Sequence, residues 1–273
     1  MNKLYIIGNG FDLKHDLPSK YSDFASFCKT TNITLFEQIN LLFPKISIDG
    51  LWSNFEEGLG EVKNDVLYKI FYEPYKENVR DDKFLYMVNS LQLAFRDWVK
   101  NLKVLSKDIQ KHYIFNKDDC FISFNYTDLL ESLYGINERQ ILHIHGYAKP
   151  DEEDNFVDYT FGHAQDEIKS IEPLDSFDNL SKDFKNSLKK NYKISEMEEK
   201  LKTWAKQGKS FNEIIVLGHS LNDVDDKYFV KLLQLIPNAK WYIEYFDYKD
   251  FLRKERNIVR IGLGRNIDAF VKS

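Results

Sequence analysis

The feature that most constrains this chain is a pattern found near both ends: a short, unbroken apolar run that stops at a glycine. Leu4-Tyr5-Ile6-Ile7 stops at Gly8, and Ile214-Ile215-Val216-Leu217 stops at Gly218. A run without polar alternation and rich in β-branched residues reads as a strand buried on both faces, as in a parallel sheet covered by helices. Further strands are expected at Cys120–Phe124, Ile141–His145, Trp241–Tyr245 and Ile258–Leu263. Between them lie segments of helical spacing. One follows a Ser19 cap, with Tyr21, Phe24, Ala25 and Cys28 on one face; another runs from Phe84 through Met87, Leu91, Phe95 and Trp98 to Leu102. Shorter helices are expected over Thr127–Leu133, Ser195–Lys206 and Val224–Ile236.

Strands alternating with helices predict an α/β fold: a Rossmann-like parallel sheet flanked by helices and carrying helical insertions. The expectation is one domain over residues 1–273, with a helical insertion at about 35–110 and a second insertion or lid at about 151–208. With 43% hydrophobic residues the chain has the apolar mass for a sizeable core. A net charge of −5, with basic residues dispersed among acidic ones, gives no footprint for nucleic acid. The densest basic stretch, Lys182 to Lys193, has Asp183 within it and reads as a solvated face. Two cysteines, Cys28 and Cys120, make neither a disulfide framework nor a zinc site, which suits a reducing cytoplasm. The apolar run after Met1-Asn2-Lys3 is too short for an export signal or a membrane span.

Four polar clusters sit at expected strand ends, where open α/β sheets bind ligands. In Gly8-Asn9-Gly10-Phe11-Asp12, the glycines either admit a phosphate to the backbone or simply make a tight βα turn. The third glycine of the dinucleotide fingerprint is missing, which excludes an ordinary dehydrogenase. Asp12 and His15 either meet a ribose or reacting centre or, for Asp12, cap a helical turn. Asn125 and Thr127, after Ser123-Phe124, offer an amide and a hydroxyl to a ligand, or turn the chain and cap the next helix. His143 and His145 share a face if strand alternation continues through both; no companion pattern completes a metal site, so no metal is assigned. Gly218-His219-Ser220-Leu221-Asn222-Asp223 offers Ser220 and backbone amides to a phosphate or ribose, or Ser220 and Asp223 as helix caps. It is not the GxSxG elbow of esterases, because Asn222 replaces the second glycine.

In this order GNGFDL, FNYT, HIHG and GHSLND, with LPSKY and WSNFE between them, resemble the AbiH family of phage abortive-infection proteins. That family in turn is similar to the sirtuin-like NAD-binding superfamily. The resemblance implies NAD as substrate or ligand, with Gly8 and Gly10 along the diphosphate and Asn9, Phe11 and Thr127 beside them. It implies Asn125 at the nicotinamide ribose or a water, His145 as general base, and Asp12 or Asp223 supporting a cationic sugar. Gly218, His219 and Ser220 would hold the far phosphate or adenosine side, with Glu244 at the adenine ribose. The zinc-binding cysteines of sirtuin deacetylases have no counterpart, so the activity implied is hydrolysis of NAD in antiviral defence. The alternatives are a module that senses NAD or an ADP-ribose derivative without turnover, and a metal-dependent hydrolase or nuclease using His143, His145 and His163. A homo-oligomer or a defence-system partner is also expected from the resemblance; a membrane is not.

Overall fold

The computed structural model describes residues 2–47, 52–72, 82–102, 109–148, 159–165 and 176–273. Residues 48–51, 73–81, 103–108, 149–158 and 166–175, nearly all in the segments expected as insertions, lie outside the described residues. The chain divides into two compact units, one made of Met1–Ser19, Leu102–Thr160 and Tyr192–Ser273, the other of Lys20–Asn101 and Phe161–Asn191.

The first unit holds a six-stranded sheet: β1 (Asn2–Ile7), β2 (Cys120–Ser123), β3 (Ile141–His143), β4 (Phe211–Leu217), β5 (Lys240–Tyr245) and β6 (Ile267–Lys272). Every neighbouring pair is parallel and the order is β3-β2-β1-β4-β5-β6. The chain therefore winds outward from β1 in both directions and reverses between β1 and β4, the arrangement of a doubly wound Rossmann-like sheet. Register brings the strand ends level: Ile7 lies beside Ser123 and Leu217, and Ser123 beside His143.

Burial explains the unbroken apolar runs. Leu4 and Ile6 pack into one core with Ile122, Val216, Ile243 and the helix Ile194–Lys206, through Met197, Leu201 and Trp204. Tyr5 and Ile7 face the other way, into a core with Phe11, Phe121, Leu129, Leu130 and Leu217. Each face of β1 is thus covered, and a polar residue at any of these positions would be desolvated without a partner.

Three expected elements differ. Ile258–Leu263 is not a strand: Tyr248–Ile261 is a helix that buries Lys254, Asn257, Ile258 and Ile261, and Gly262 closes it at φ +82°. The β-branched residues of this stretch looked sheet-like locally, but the burial spacing is helical; the last strand follows at Ile267–Lys272. The third strand ends at His143, so His145 lies in the turn beyond it and strand alternation no longer applies. Ser19 does not cap the helix Tyr21–Thr31; Lys20 holds that position and its N–H donates to Asp23.

The second unit is mainly helical among the described residues, with long helices at Tyr21–Thr31, Ile33–Leu42, Asp82–Asn101 and Ser176–Ser187 and one isolated parallel bridge between His163 and Lys189. Its core is aromatic: Phe24 packs edge-on against Trp52, Phe55 and Phe95. Within it the Tyr21 hydroxyl donates to Glu56, whose other oxygen pairs with the buried Lys190 ammonium at 2.8 Å. The LPSKY and WSNFE blocks thus meet in one buried polar cluster. Among the described residues, no helix is long and apolar enough to cross a membrane.

Candidate functional site

The turns after β1 and β4 lie directly on each other, and that contact accounts for their glycines. Gly8 N–H donates to Leu217 O at 2.9 Å and Gly10 N–H to Gly218 O at 2.8 Å. A Cβ on Gly8 would sit 2.4 Å from His219 Cα, and one on Gly10 2.8 Å from Gly218 Cα. Since Phe11 N–H donates to Gly8 O, three N–H groups of the first turn are already used within the protein. A diphosphate gripped at Gly8 and Gly10 would have to draw on other donors. The Asn9 side chain is likewise engaged, donating to Ser19 O and accepting from Ser19 Oγ, and Phe11 is core, stacked on Tyr113.

Asp12 lies in the short helix Asn9–Lys14 and is almost wholly buried. Its Oδ1 accepts from Asn125 Nδ2 at 2.8 Å and its Oδ2 from Thr127 Oγ1 at 2.9 Å. Neither Asn125 nor Thr127 caps the next helix, which is Leu129–Ser132 with Asp128 at its N-terminal boundary. Because Asp12 takes the amide nitrogen, the Asn125 amide is oriented, and its Oδ1 is a buried acceptor with no partner among the described residues. An unsatisfied buried acceptor costs of order 1–3 kcal/mol, and a ligand hydroxyl or water would relieve that cost.

Burial is the largest influence on Asp12. It pushes the carboxyl up to about 7 from its usual 3.8; the Thr127 and Asn125 hydrogen bonds oppose the rise and the nearby Asp128 charge adds to it. Asp12 therefore changes charge near neutrality, in the range useful for proton chemistry.

Beyond Phe124 a second buried cluster joins the ends of β3 and β4. Asp225 places Oδ1 3.5 Å from His145 Nε2 and Oδ2 3.3 Å from His219 Nε2. The other nitrogen of each ring also faces a protein group: His145 Nδ1 lies 3.2 Å from Phe124 O, and His219 Nδ1 accepts from Leu221 N–H at 2.9 Å. Both rings meet Phe124 edge-on. Leu221, fully buried, takes φ +57°, an uncommon backbone state for a branched residue. Such strain is tolerated where surrounding contacts impose it.

The remaining expected residues separate by role. Glu244, at the end of β5, accepts from Gly218 N–H at 3.0 Å on Oε2 and from Tyr113 OH at 2.7 Å on Oε1, with Lys14 Nζ at 3.3 Å from Oε1. The carboxylate braces the glycine turn; burial, and after it the Glu244 carboxylate, raises the Tyr113 hydroxyl above its usual value. Ser220 is half-buried, its carbonyl accepting from Asn257, while Asp223 is exposed at the start of a 3₁₀ turn. His15 is a core residue, donating to Phe11 O and hydrogen-bonded to Tyr134 OH, and burial lowers its pKa. His143 turns to Glu131 at 2.8 Å and stacks on Tyr147, away from the partners of His145. His163 belongs to the second unit and donates to Lys185 O. Among the described residues no group of three or more His, Cys, Asp or Glu is arranged to hold a metal.

Sequence reasoning missed Asp225 and Tyr113. Asp225 lies two residues past the Asp223 singled out for charge support, and only the 3₁₀ turn between them decides which carboxylate points inward. No local pattern marks Tyr113 as the partner of Glu244.

A parallel sheet in this strand order, with polar side chains from the ends of β1, β2, β3 and β4 drawn together at its carboxyl edge, defines a Rossmann-like α/β protein whose candidate site lies at the switch in strand order. The chain belongs to the AbiH family, described as bacteriophage abortive infection, whose profile matches residues 4–245. That span includes every site residue named above. No curated protein and no solved structure matches the chain. Family membership places the protein in phage defence by abortive infection.

Proposed function

We propose that the protein acts in abortive infection by hydrolysing the glycosidic bond of NAD, releasing nicotinamide. The observation that carries this reading is the oriented Oδ1 of Asn125, without a partner among the described residues, at the carboxyl end of β2. In the proposed reaction the C1′–N bond breaks with its electron pair leaving on nicotinamide, and water adds to the oxocarbenium-like sugar and loses a proton to solvent. Such a reaction needs a held ribose, a placed water and nearby negative charge more than it needs a strong nucleophile. Asn125 Oδ1 accepts a hydrogen bond from the attacking water or a ribose hydroxyl. Asp12, behind it, fixes the amide and supplies charge once ionised. For His145 to act as general base, a ring nitrogen would have to turn from Phe124 O or Asp225; in the arrangement described, the ring braces the end of β2.

That engagement of both histidine rings favours a second reading, in which the same site senses a nucleotide without turning it over. Calorimetry separates ligand contact from turnover. ADP-ribose, which lacks the scissile bond, should bind the purified protein, and Asn125→Ala should weaken it about tenfold, the loss of one hydrogen bond to a buried acceptor. Equal binding by both proteins would remove Asn125 from the ligand site. Tight binding of NAD with no product formed would decide for sensing.

A further inference from the structure

The tautomers that the hydrogen bonds assign to the two histidines bear on how His145 meets Asp225. His219 Nδ1 accepts a backbone N–H, so the proton of a neutral His219 sits on Nε2, which lies 3.3 Å from Asp225 Oδ2. His145 Nδ1 faces a carbonyl oxygen, which only accepts, so that nitrogen carries hydrogen. A neutral His145 would then turn a bare Nε2 lone pair toward the Asp225 carboxylate at 3.5 Å. Two acceptors so placed repel each other; a proton on Nε2 makes the contact an ion pair.

We propose that Asp225 is a positioning residue: it keeps His145 doubly protonated, and the resulting imidazolium clamps the Phe124–Asn125 peptide from which Asn125 projects its amide toward the ligand. The clamp runs from Asp225 through the His145 ring to Phe124 O, the carbonyl of the peptide whose N–H belongs to Asn125. That N–H is in turn held by Ser123 Oγ at 3.2 Å. The rings of Phe124, Tyr126 and Tyr228 also face His145, and His219 lies across Asp225; the Tyr228 hydroxyl accepts from Lys193 N–H. Asp226, next in the chain, is held away by Arg260. Asp225 faces both histidine rings.

The positioning role rests on the reading of Asn125 as the ligand-facing group; the protonation of His145 does not. Asp225→Asn is close to isosteric and can offer each ring a hydrogen bond, its amide donating to His145 Nε2 and its oxygen accepting from His219 Nε2. The test is the histidine ring ¹⁵N spectrum of the labelled protein at pH 7, with signals assigned by His145→Gln and His219→Gln, beside rates of nicotinamide release. The expected wild-type spectrum shows His145 protonated on both nitrogens and His219 as the Nε2–H tautomer. In Asp225→Asn, His145 should become the neutral Nδ1–H form and turnover should fall about tenfold or more at unchanged KM. A neutral His145 in the wild type, or a doubly protonated one in Asp225→Asn, overturns the clamp. A neutral His145 in Asp225→Asn with wild-type turnover overturns its positioning role. If the wild type releases no nicotinamide, the proposed reaction fails while the spectra still decide the protonation.

Discussion

Gly218→Ala should unfold the protein, or leave it melting far below the wild type, whereas Gly135→Ala should cost little. The two glycines share the same backbone state, φ +64° and φ +70°, so the intrinsic penalty of a side chain in the left-handed region, roughly 1–2 kcal/mol, applies to both. They differ in what a Cβ would meet. At Gly135 nothing lies within 4 Å; at Gly218 the new carbon would stand 2.1 Å from Phe11 N and 2.5 Å from Gly10 C. These are backbone atoms in a turn hydrogen-bonded to β4, and they cannot rotate aside as a side chain can. Gly218→Ala must therefore separate the two turns, breaking the Gly10 N–H bond to Gly218 O and the Gly218 N–H bond to Glu244. A loss beyond about 4 kcal/mol, in the range reserved for severe core damage, is expected, against about 1–2 kcal/mol for Gly135→Ala. Thermal unfolding of the pair checks it, and equal losses would mean that the turns are not locked together.

The second large effect is on the pH dependence of stability. Asp12 ionises near its ordinary 3.8 in the unfolded chain and near about 7 in the fold, so folding favours its protonated form. The stability this contributes is fully present below about 3.8 and is lost as the pH rises through about 7. The loss amounts to at most about 4 kcal/mol, roughly 1.4 kcal/mol for each pH unit between the two values. Asp12→Asn resembles the protonated acid: its oxygen accepts from Asn125, and its amide donates to a Thr127 hydroxyl that rotates to receive it. The variant should melt close to the wild type at pH 4 and above it at pH 8, with the gap opening between. A gap that stays constant with pH would show that the Asp12 carboxyl is not held high by burial.

Much of the fold was readable because each buried strand carries its own signature. Leu4–Ile7 and Ile214–Leu217 are apolar on both faces since both faces are covered, and the glycines after them mark turns that touch. The helix Tyr248–Ile261 was misread where local chemistry and burial spacing disagree, Ile258 and Val259 favouring a strand while Lys254, Asn257, Ile258 and Ile261 lie buried on one helical face. For the site, the residues were visible and their relations were not. Asp12, Asn125 and Thr127 each stood out at a strand end, but nothing in sequence tells that one carboxylate takes hydrogen bonds from both others across more than a hundred residues. His143 and His145 looked like a pair because alternation was carried two residues too far; the strand stops and the rings part to Glu131 and Asp225. The glycines of the first turn read as a phosphate cradle by analogy, while the packing of Gly8 on His219 and Gly10 on Gly218 supplies a reason for them with no ligand at all.

The most direct test of the NAD reading is a time course of nicotinamide release from NAD by the purified wild-type protein, run with and without EDTA. The account predicts release that continues in EDTA, since no metal enters the proposed reaction. No release under either condition, or release abolished by EDTA, would contradict it.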